Sequence, residues 1–533
     1  MKRFAFFTLA VIFVGIFATA QSASSAPPAD LDAWVTHAMN EFHTPGAAVA
    51  IVKDGKVVAM KGYGLRKLGT NDKVDENTLF GIASNTKAFT ASALAMLVDE
   101  GKINWDDRVI DHMPDFRMSN PFVTSEITIR DLLTHRSGMG LGAGDLMFFP
   151  DSDFTREQII HNQRFIPLAT SFRSHYAYDN VLYVVAGQLI PSVTGKSWDD
   201  FIRERIFTPL GMAHSNTSVT ELQPGVNFAV PHTTVDGKLQ PVKNDHVDNT
   251  APAGAINSCV SDLAKWVIAR LDEGKLSDGK QLYSKVQARE MWSGQTILPI
   301  GNPSEELAEL KAHFAEYGLG VFLRDYRGRK MVTHTGGLTG YVSQIVMVPE
   351  EKLGIIILTN GEAGETFKSI SWHVLDHYLV APQKDYISIF KKIHDKTEKE
   401  AEEVVNKASS TRNKDSMPTL PLEKYAGKYH DAWYGDVSVS VVDGKLCMKF
   451  SHSAGLDGTL THFQYDTFVA HWVERTVPDA YVTFSMEADG SIRDIRMKAV
   501  SPLADFSYDF QDLLLIPVHK RVSTTTGQDD SIE

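Results

Sequence analysis

Two cysteines in 533 residues are too few to staple a fold. Cys259 and Cys447 also stand so far apart that no stabilising disulfide is expected between them, even in an exported chain. Stability therefore has to come from core packing. Lysine and arginine are outnumbered 53 to 66 by aspartate and glutamate. No basic cluster interrupts the net charge of −13, which argues against nucleic acid as a partner. Gly-x-Ser-x-Gly is missing, so the nucleophile elbow of an α/β-hydrolase is out. His373 and His377 stand four apart, a spacing that could pair them on a metal, but no His-Glu-x-x-His accompanies them. Neither a metal nor an organic cofactor is expected.

One segment is rich in what the rest lacks. Lys2 and Arg3, the apolar run Phe4–Phe17 and then Ala18-Thr19-Ala20 before Gln21 have the order of a secretory signal cut after Ala20. The run is short for a membrane span, and no cysteine follows it to carry a lipid. The expectation is a secreted or periplasmic protein with no stable membrane insertion once the signal is gone. Loss of Lys2 and Arg3 leaves a net charge of −15.

The length exceeds one core. The expected division is a signal (1–20), a Ser/Ala/Pro linker (21–29), a first domain (30–382), a charged helix with a polar linker (383–418), a second domain (419–520) and a disordered tail (521–533). In the first domain, Leu31, Trp34, Val35, Ala38, Met39 and Phe42 recur at helical spacing, with Asp30 placed to cap. Ala47–Val52 and Val57–Gly62 read as a hairpin turning at Asp54-Gly55. Lys330–His334, Tyr341–Val348 and Leu353–Thr359 read as three more strands, followed by a helix from Glu365 to Leu379. An antiparallel sheet built from both ends of this region, flanked by helices and with a large helical insert, accounts for the order. From Leu420 the period changes to two. Val437–Val442, Lys445–Phe450, Thr459–Thr461, Thr467–Trp472, Ala480–Met486, Ile492–Lys498 and Phe506–Phe510 read as strands of a small all-β barrel.

The chemistry gathers around GIASNTKAFTASALAMLVDEG, Gly81–Gly101. Ser84 opens an apolar helix and Lys87 follows one turn on, so a hydroxyl and an amine share one face beside the positive end of the helix dipole. Ser-x-x-Lys alone is weak, because Ser277–Lys280 and Ser388–Lys391 have it too. The specificity comes from two further motifs. Tyr178-Asp179-Asn180 leads into an apolar helix, and His334-Thr335-Gly336-Gly337 ends a strand.

In that order, the three motifs resemble those of the penicillin-recognising serine hydrolases, in the branch similar to class C β-lactamases and their esterase and D-aminopeptidase relatives. Phe80-Gly81-Ile82-Ala83, Thr128–Gly138 and Ala253-Gly254-Ala255-Ile256 support the resemblance, which covers about Leu31–Leu379. It implies a β-lactamase-like fold, α+β, with Ser84 as the acylated nucleophile, Lys87 as its base and Tyr178 as the proton relay. The acylation base is either Lys87 or Tyr178. By the same resemblance Asn180, His334, Thr335 and Gly336 bind substrate, and the N–H groups of Ser84 and Gly337 form the oxyanion hole. His334 departs from the lysine of the β-lactamases themselves; Asp179 departs from the small residue common at its place.

The implied activity is hydrolysis of an amide in a small peptide or peptide-like substrate, with D- or non-standard residues admitted. A carboxylesterase or weak β-lactamase is the alternative, and a non-catalytic ligand-binding protein the alternative of another class. The second domain resembles lipocalin-like barrels appended to some peptidases of this family. Self-association into a homo-oligomer stays open. Because the barrel carries none of the three motifs, the chemistry is expected to survive its removal.

Overall fold

The computed structural model describes residues 25–518, and the expected signal and polar tail lie outside them. The first domain is built on an eight-stranded antiparallel sheet. Its spatial order is Lys56–Gly64, Gly46–Lys53, Leu353–Thr359, Tyr341–Val348, Arg329–Leu338, Phe322–Tyr326, Ala315–Tyr317 and Thr296–Ile297. The first hairpin turns at Asp54 and Gly55, with φ of +51° and +74°, the left-handed pair that a tight two-residue turn demands. Its inner strand lies beside a strand from the far end of the domain, Ala48 opposite Leu358, so the insert leaves and returns between neighbours.

Side-chain alternation divides the core. Ala47, Val49, Ile51, Ile355 and Ile357 pack under helices Leu31–Glu41 and Gly364–Tyr378. Ala48, Ala50, Val52, Ile356 and Leu358 face the other way, toward helices Val260–Leu271 and Lys87–Asp99. Gly46–Lys53 and Leu353–Thr359 are buried throughout, which is why they read as continuous apolar runs. The three outermost strands escaped the sequence reading, since they are short and Phe322–Tyr326 carries Arg324 and Asp325 in its middle.

His373 stacks on Trp34 at 4.1 Å and bonds the Asp30 carboxylate at 3.0 Å, and His377 meets the Ala26 carbonyl at 3.0 Å. The two histidines fasten the N-terminal segment to the last helix of the domain. Asp30 therefore does not cap its helix through its side chain, as expected from sequence; His373 has taken the carboxylate.

A 26-residue helix, Tyr386–Thr411, leads to the second domain. There eight strands run in the order Ile492–Ala499, Ala480–Met486, Thr467–Trp472, Asp457–Gln464, Lys445–Phe450, Gly435–Val442, Gly427–Asp431 and Ile516–Pro517. Ile516–Pro517 pairs with Gly427–Asp431, and a bridge from Leu515 to Ile495 joins the two ends of the order into a nearly closed barrel. One expected strand is not there. Phe506–Phe510 is a loop between the last two strands, and its alternation has another cause: Tyr508 and Phe510 sink into the core, while Ser507 and Asp509, which a half-buried strand would leave in water, are also buried. They are buried against the first domain.

The two domains share one continuous apolar core. Phe149 packs on Tyr508 at 5.1 Å between ring centres, and Phe154 stacks on His452 at 3.9 Å. The barrel is a wall of the first domain rather than an appendage on a linker.

Candidate active site

Ser84 sits in a tight 3-10 turn, Ala83–Thr86, that runs straight into helix Lys87–Asp99. The residue before it, Ala83, is held at φ +49°, a left-handed conformation that a Cβ disfavours. One turn on, the Lys87 Nζ donates to Ser84 Oγ at 3.1 Å, to Asn180 Oδ1 at 2.6 Å and to the Ala253 carbonyl at 3.1 Å. The rings of Tyr178 and Tyr183 lie 4.8 and 5.1 Å from the same nitrogen. Lys87 is wholly buried, and this burial pushes its ammonium down to about 7, against the pull of Asp145 and Asp179. An amine with that proton affinity can accept a proton near neutral pH. The other two Ser-x-x-Lys strings are superficial: Lys280 pairs with Asp278, and Ser388 donates its N–H and hydroxyl to Asp385, which caps the helix.

Tyr178 and Asn180 stand just before helix Val181–Thr194. The Tyr178 hydroxyl is buried without a hydrogen-bond partner among the described residues. Burial pushes it well above its usual range, and Ser84 is the hydroxyl beside it that works the other way. It stays a phenol, able to hand on a proton. The Asn180 amide is nearly used up, its oxygen by Lys87 and one N–H by the Asp145 carboxylate at 2.8 Å. One N–H remains.

His334 is buried. Its Nδ1 lies 2.6 Å from the Thr335 carbonyl and its Nε2 3.1 Å from the Tyr317 hydroxyl. Burial, then Lys87, pushes it down to about 3, so it is neutral, with Nδ1–H donating and Nε2 accepting. It offers no cation to a substrate. Gly336 is where the strand passes the turn that carries Ser84: a Cβ there would stand 2.2 Å from the Ile82 carbonyl oxygen and 2.9 Å from the Ala83 Cβ. At Gly337 a Cβ would meet nothing.

Ser84, Asn180 and Gly337 line the floor of a cavity of about 770 Å³. Lys87 and Tyr178 lie beneath that floor, and of the four expected binding residues only Asn180 faces the cavity; His334, Thr335 and Gly336 lie off its surface. The walls come from Thr233 and Glu362 of the first domain and, beyond the reach of sequence reasoning, from Arg475, Asp479, Asp505 and Tyr508 of the barrel. The barrel therefore walls one side of the cavity that Ser84 opens onto.

Three more residues were given no role by the sequence. His135, at φ +54°, stacks on Tyr178 at 4.2 Å and accepts the Asp179 backbone N–H on Nδ1 at 3.0 Å. Burial, then Lys87, keeps it well below the usual histidine range. Asp179 accepts the Leu182 N–H, and burial pushes its carboxyl up to about 7. Asp145 is buried between Asn180 and the barrel's Ser507, with its proton affinity raised well above normal by burial. A signal existed for Asp145. Gly140, Gly142 and Gly144 precede it, and such glycine density marks close backbone approach.

The family model for beta-lactamase matches residues 31–379, and that for a domain of unknown function, DUF3471, matches residues 411–516. Among curated proteins, the unguisins hydrolase ungD' of Aspergillus campestris is 31% identical over 428 residues, covering 76% of this chain and 76% of its own length. The unguisins hydrolase ungD of Aspergillus violaceofuscus is 29% identical over 498 residues, covering 85% and 82%. Among solved structures, the octameric penicillin-binding protein homologue from Pyrococcus abyssi superposes with a TM-score of 0.59 at 23% identity, covering 91% of this chain and 99% of its own. The crystal structure of SurE gives 0.54 at 18%, covering 92% and 99%. Both share the fold, barrel included.

Proposed function

The chain belongs to the beta-lactamase family of serine hydrolases, and on that premise we propose that it is an exported enzyme that opens an amide bond in small peptides or peptide-like molecules through an acyl-enzyme on Ser84. One observation carries the reading. A desolvated amine, brought to about 7, lies 3.1 Å from a serine hydroxyl on the floor of a cavity large enough for several residues of substrate.

In this reading Ser84 Oγ adds to the carbonyl carbon as Lys87 Nζ takes its proton. The N–H groups of Ser84 and Gly337 hold the developing oxyanion. The carbon–nitrogen bond breaks as Tyr178 gives a proton to the leaving amine and regains one from the Lys87 ammonium, and water then cleaves the ester on Ser84. The opposite shifts of the two groups favour Lys87 over Tyr178 as the acylation base, since burial eases the loss of the Lys87 proton and hinders that of Tyr178. Two fungal relatives named as hydrolases support turnover over mere binding. Neutral, enclosed His334 weighs against a substrate held by its carboxylate.

The test is turnover of a p-nitrophenyl ester, a chromogenic cephalosporin and a panel of short peptides, side by side with a fluorophosphonate label. Peptide cleavage with the label on Ser84 and poor cephalosporin turnover is the expected result. Efficient cephalosporin turnover with peptides and esters ignored would overturn the substrate class. A label that persists in Ser84→Ala would overturn the mechanism.

A further inference from the structure

The barrel's loop between Ile492–Ala499 and Ile516–Pro517 reaches the active-site interior by two routes. Along the first, the Ser507 hydroxyl donates to Asp145 Oδ2 at 2.7 Å. The same oxygen accepts the Asn180 amide at 2.8 Å, and the Asn180 oxygen accepts Lys87 Nζ at 2.6 Å. All four side chains are buried, and Asp145 Oδ1 has no partner among the described residues. Ser507 is itself oriented, because its backbone N–H bonds the Asp505 carboxylate at 2.9 Å.

The second route holds the backbone on either side of Asp145. The Asp509 carboxylate accepts the N–H of Gly144 at 2.7 Å and of Leu146 at 3.0 Å. Gly142, at φ +69°, lies so close to the loop that a Cβ would stand 2.7 Å from the Phe506 carbonyl oxygen, and its own N–H bonds the Tyr178 carbonyl at 2.8 Å. The Phe506 ring meets Tyr178 edge-on at 5.7 Å. The turn that carries Asp145 is thus set from the barrel side, and it touches both Lys87's partner and Tyr178.

We propose that Ser507 is a positioning residue of the active site, contributed by the barrel and acting through Asp145 and Asn180 to hold Lys87 against Ser84. The proposal rests on Ser84 and Lys87 being nucleophile and base. A hydroxyl donating to Asp145 favours its carboxylate form, and that charge favours the ammonium of Lys87. The other groups facing this pair are Asp179, Tyr178, Tyr183, His135 and His334 around Lys87, and Asp509 beside Asp145. None of them changes in Ser507→Ala.

The experiment is the pH profile of fluorophosphonate labelling of the full chain, with a thermal melt of each variant. In Ser507→Ala the maximal labelling rate should fall, and the ascending inflection should move to lower pH by roughly half a unit, because Asp145 keeps its proton more readily and Lys87 loses its own more readily. Ser507→Thr, which retains the hydroxyl, should return the inflection toward the starting value. Asp145→Asn, which removes the charge at nearly constant shape, should move it further down. An inflection unmoved in both Ser507→Ala and Asp145→Asn, with melts intact, overturns the relay, as does an upward shift in either. Label persisting in Ser84→Ala fails the underlying reading instead, so the two failures are told apart.

Discussion

The Asp509 carboxylate, in the barrel, accepts the backbone N–H of Gly144, in the hydrolase domain, at 2.7 Å across 365 residues of sequence. Its second oxygen holds Leu146. A buried carboxylate on two backbone donors is a clamp, and removing it strands both.

Asp509→Ala should therefore lower the stability of the whole chain by about 2–4 kcal/mol, from two buried amides left unpaired. Acylation should slow as well, because Asp145 loosens. Thermal melts and single-turnover labelling read both. A chain ended after Ser409 should label Ser84 poorly even where circular dichroism shows it folded; full-speed labelling there would mean the barrel wall is idle.

Acylation should rise with pH through an inflection near 7, the value to which burial brings Lys87 and, beside it, Asp179, so that the titration belongs to the pair. The active form is the free amine, present above that value and lost below it. His334, held near 3, contributes no inflection between pH 5 and 8. His334→Gln should keep the profile's shape, whereas a profile that flattens in that variant would assign the titration to the histidine.

Asn180→Asp should move the same inflection upward. A second carboxylate beside Lys87 favours the ammonium, and a shift of about one unit would cut labelling at pH 7 by roughly fivefold. The comparison of rates at pH 7 and pH 9 is decisive, since a pure packing defect would lower both equally.

Two neighbouring glycines should behave differently. Gly336→Ala pushes a methyl into the Ile82 carbonyl and Ser343, where a Cβ would stand 2.2 and 2.6 Å away, and should cost about 1–3 kcal/mol with loss of labelling. Gly337→Ala meets nothing in the fold and should melt normally, while its methyl, on the cavity floor beside Ser84, slows turnover.

The structure brings Ser84, Lys87, Tyr178 and Asn180 together, and they stand out in the sequence because each lies where an apolar element begins. The sheet was legible wherever strands are buried on both faces, as in Leu353–Thr359. Asp145 and Asp179 were not. In sequence a carboxylate in a loop looks solvated, and only tertiary packing brings both within reach of one buried lysine. Phe506–Phe510 misled for a related reason. Its period of two is real, yet Ser507 and Asp509 are polar because they serve a neighbouring domain, and nothing local distinguishes a side chain meant for water from one meant for another domain's interior.

The order of these parts along the chain has a consequence in time. A protein made from its N-terminus presents Ser84 and Lys87 well before Ser507 and Asp509, so the lysine's surroundings are finished only when that barrel loop docks. A nascent or half-delivered chain would hold its nucleophile without the frame that arms it. Chains halted before residue 500, which lack the loop that holds Asp145 and Gly144, should resist labelling that the full chain accepts.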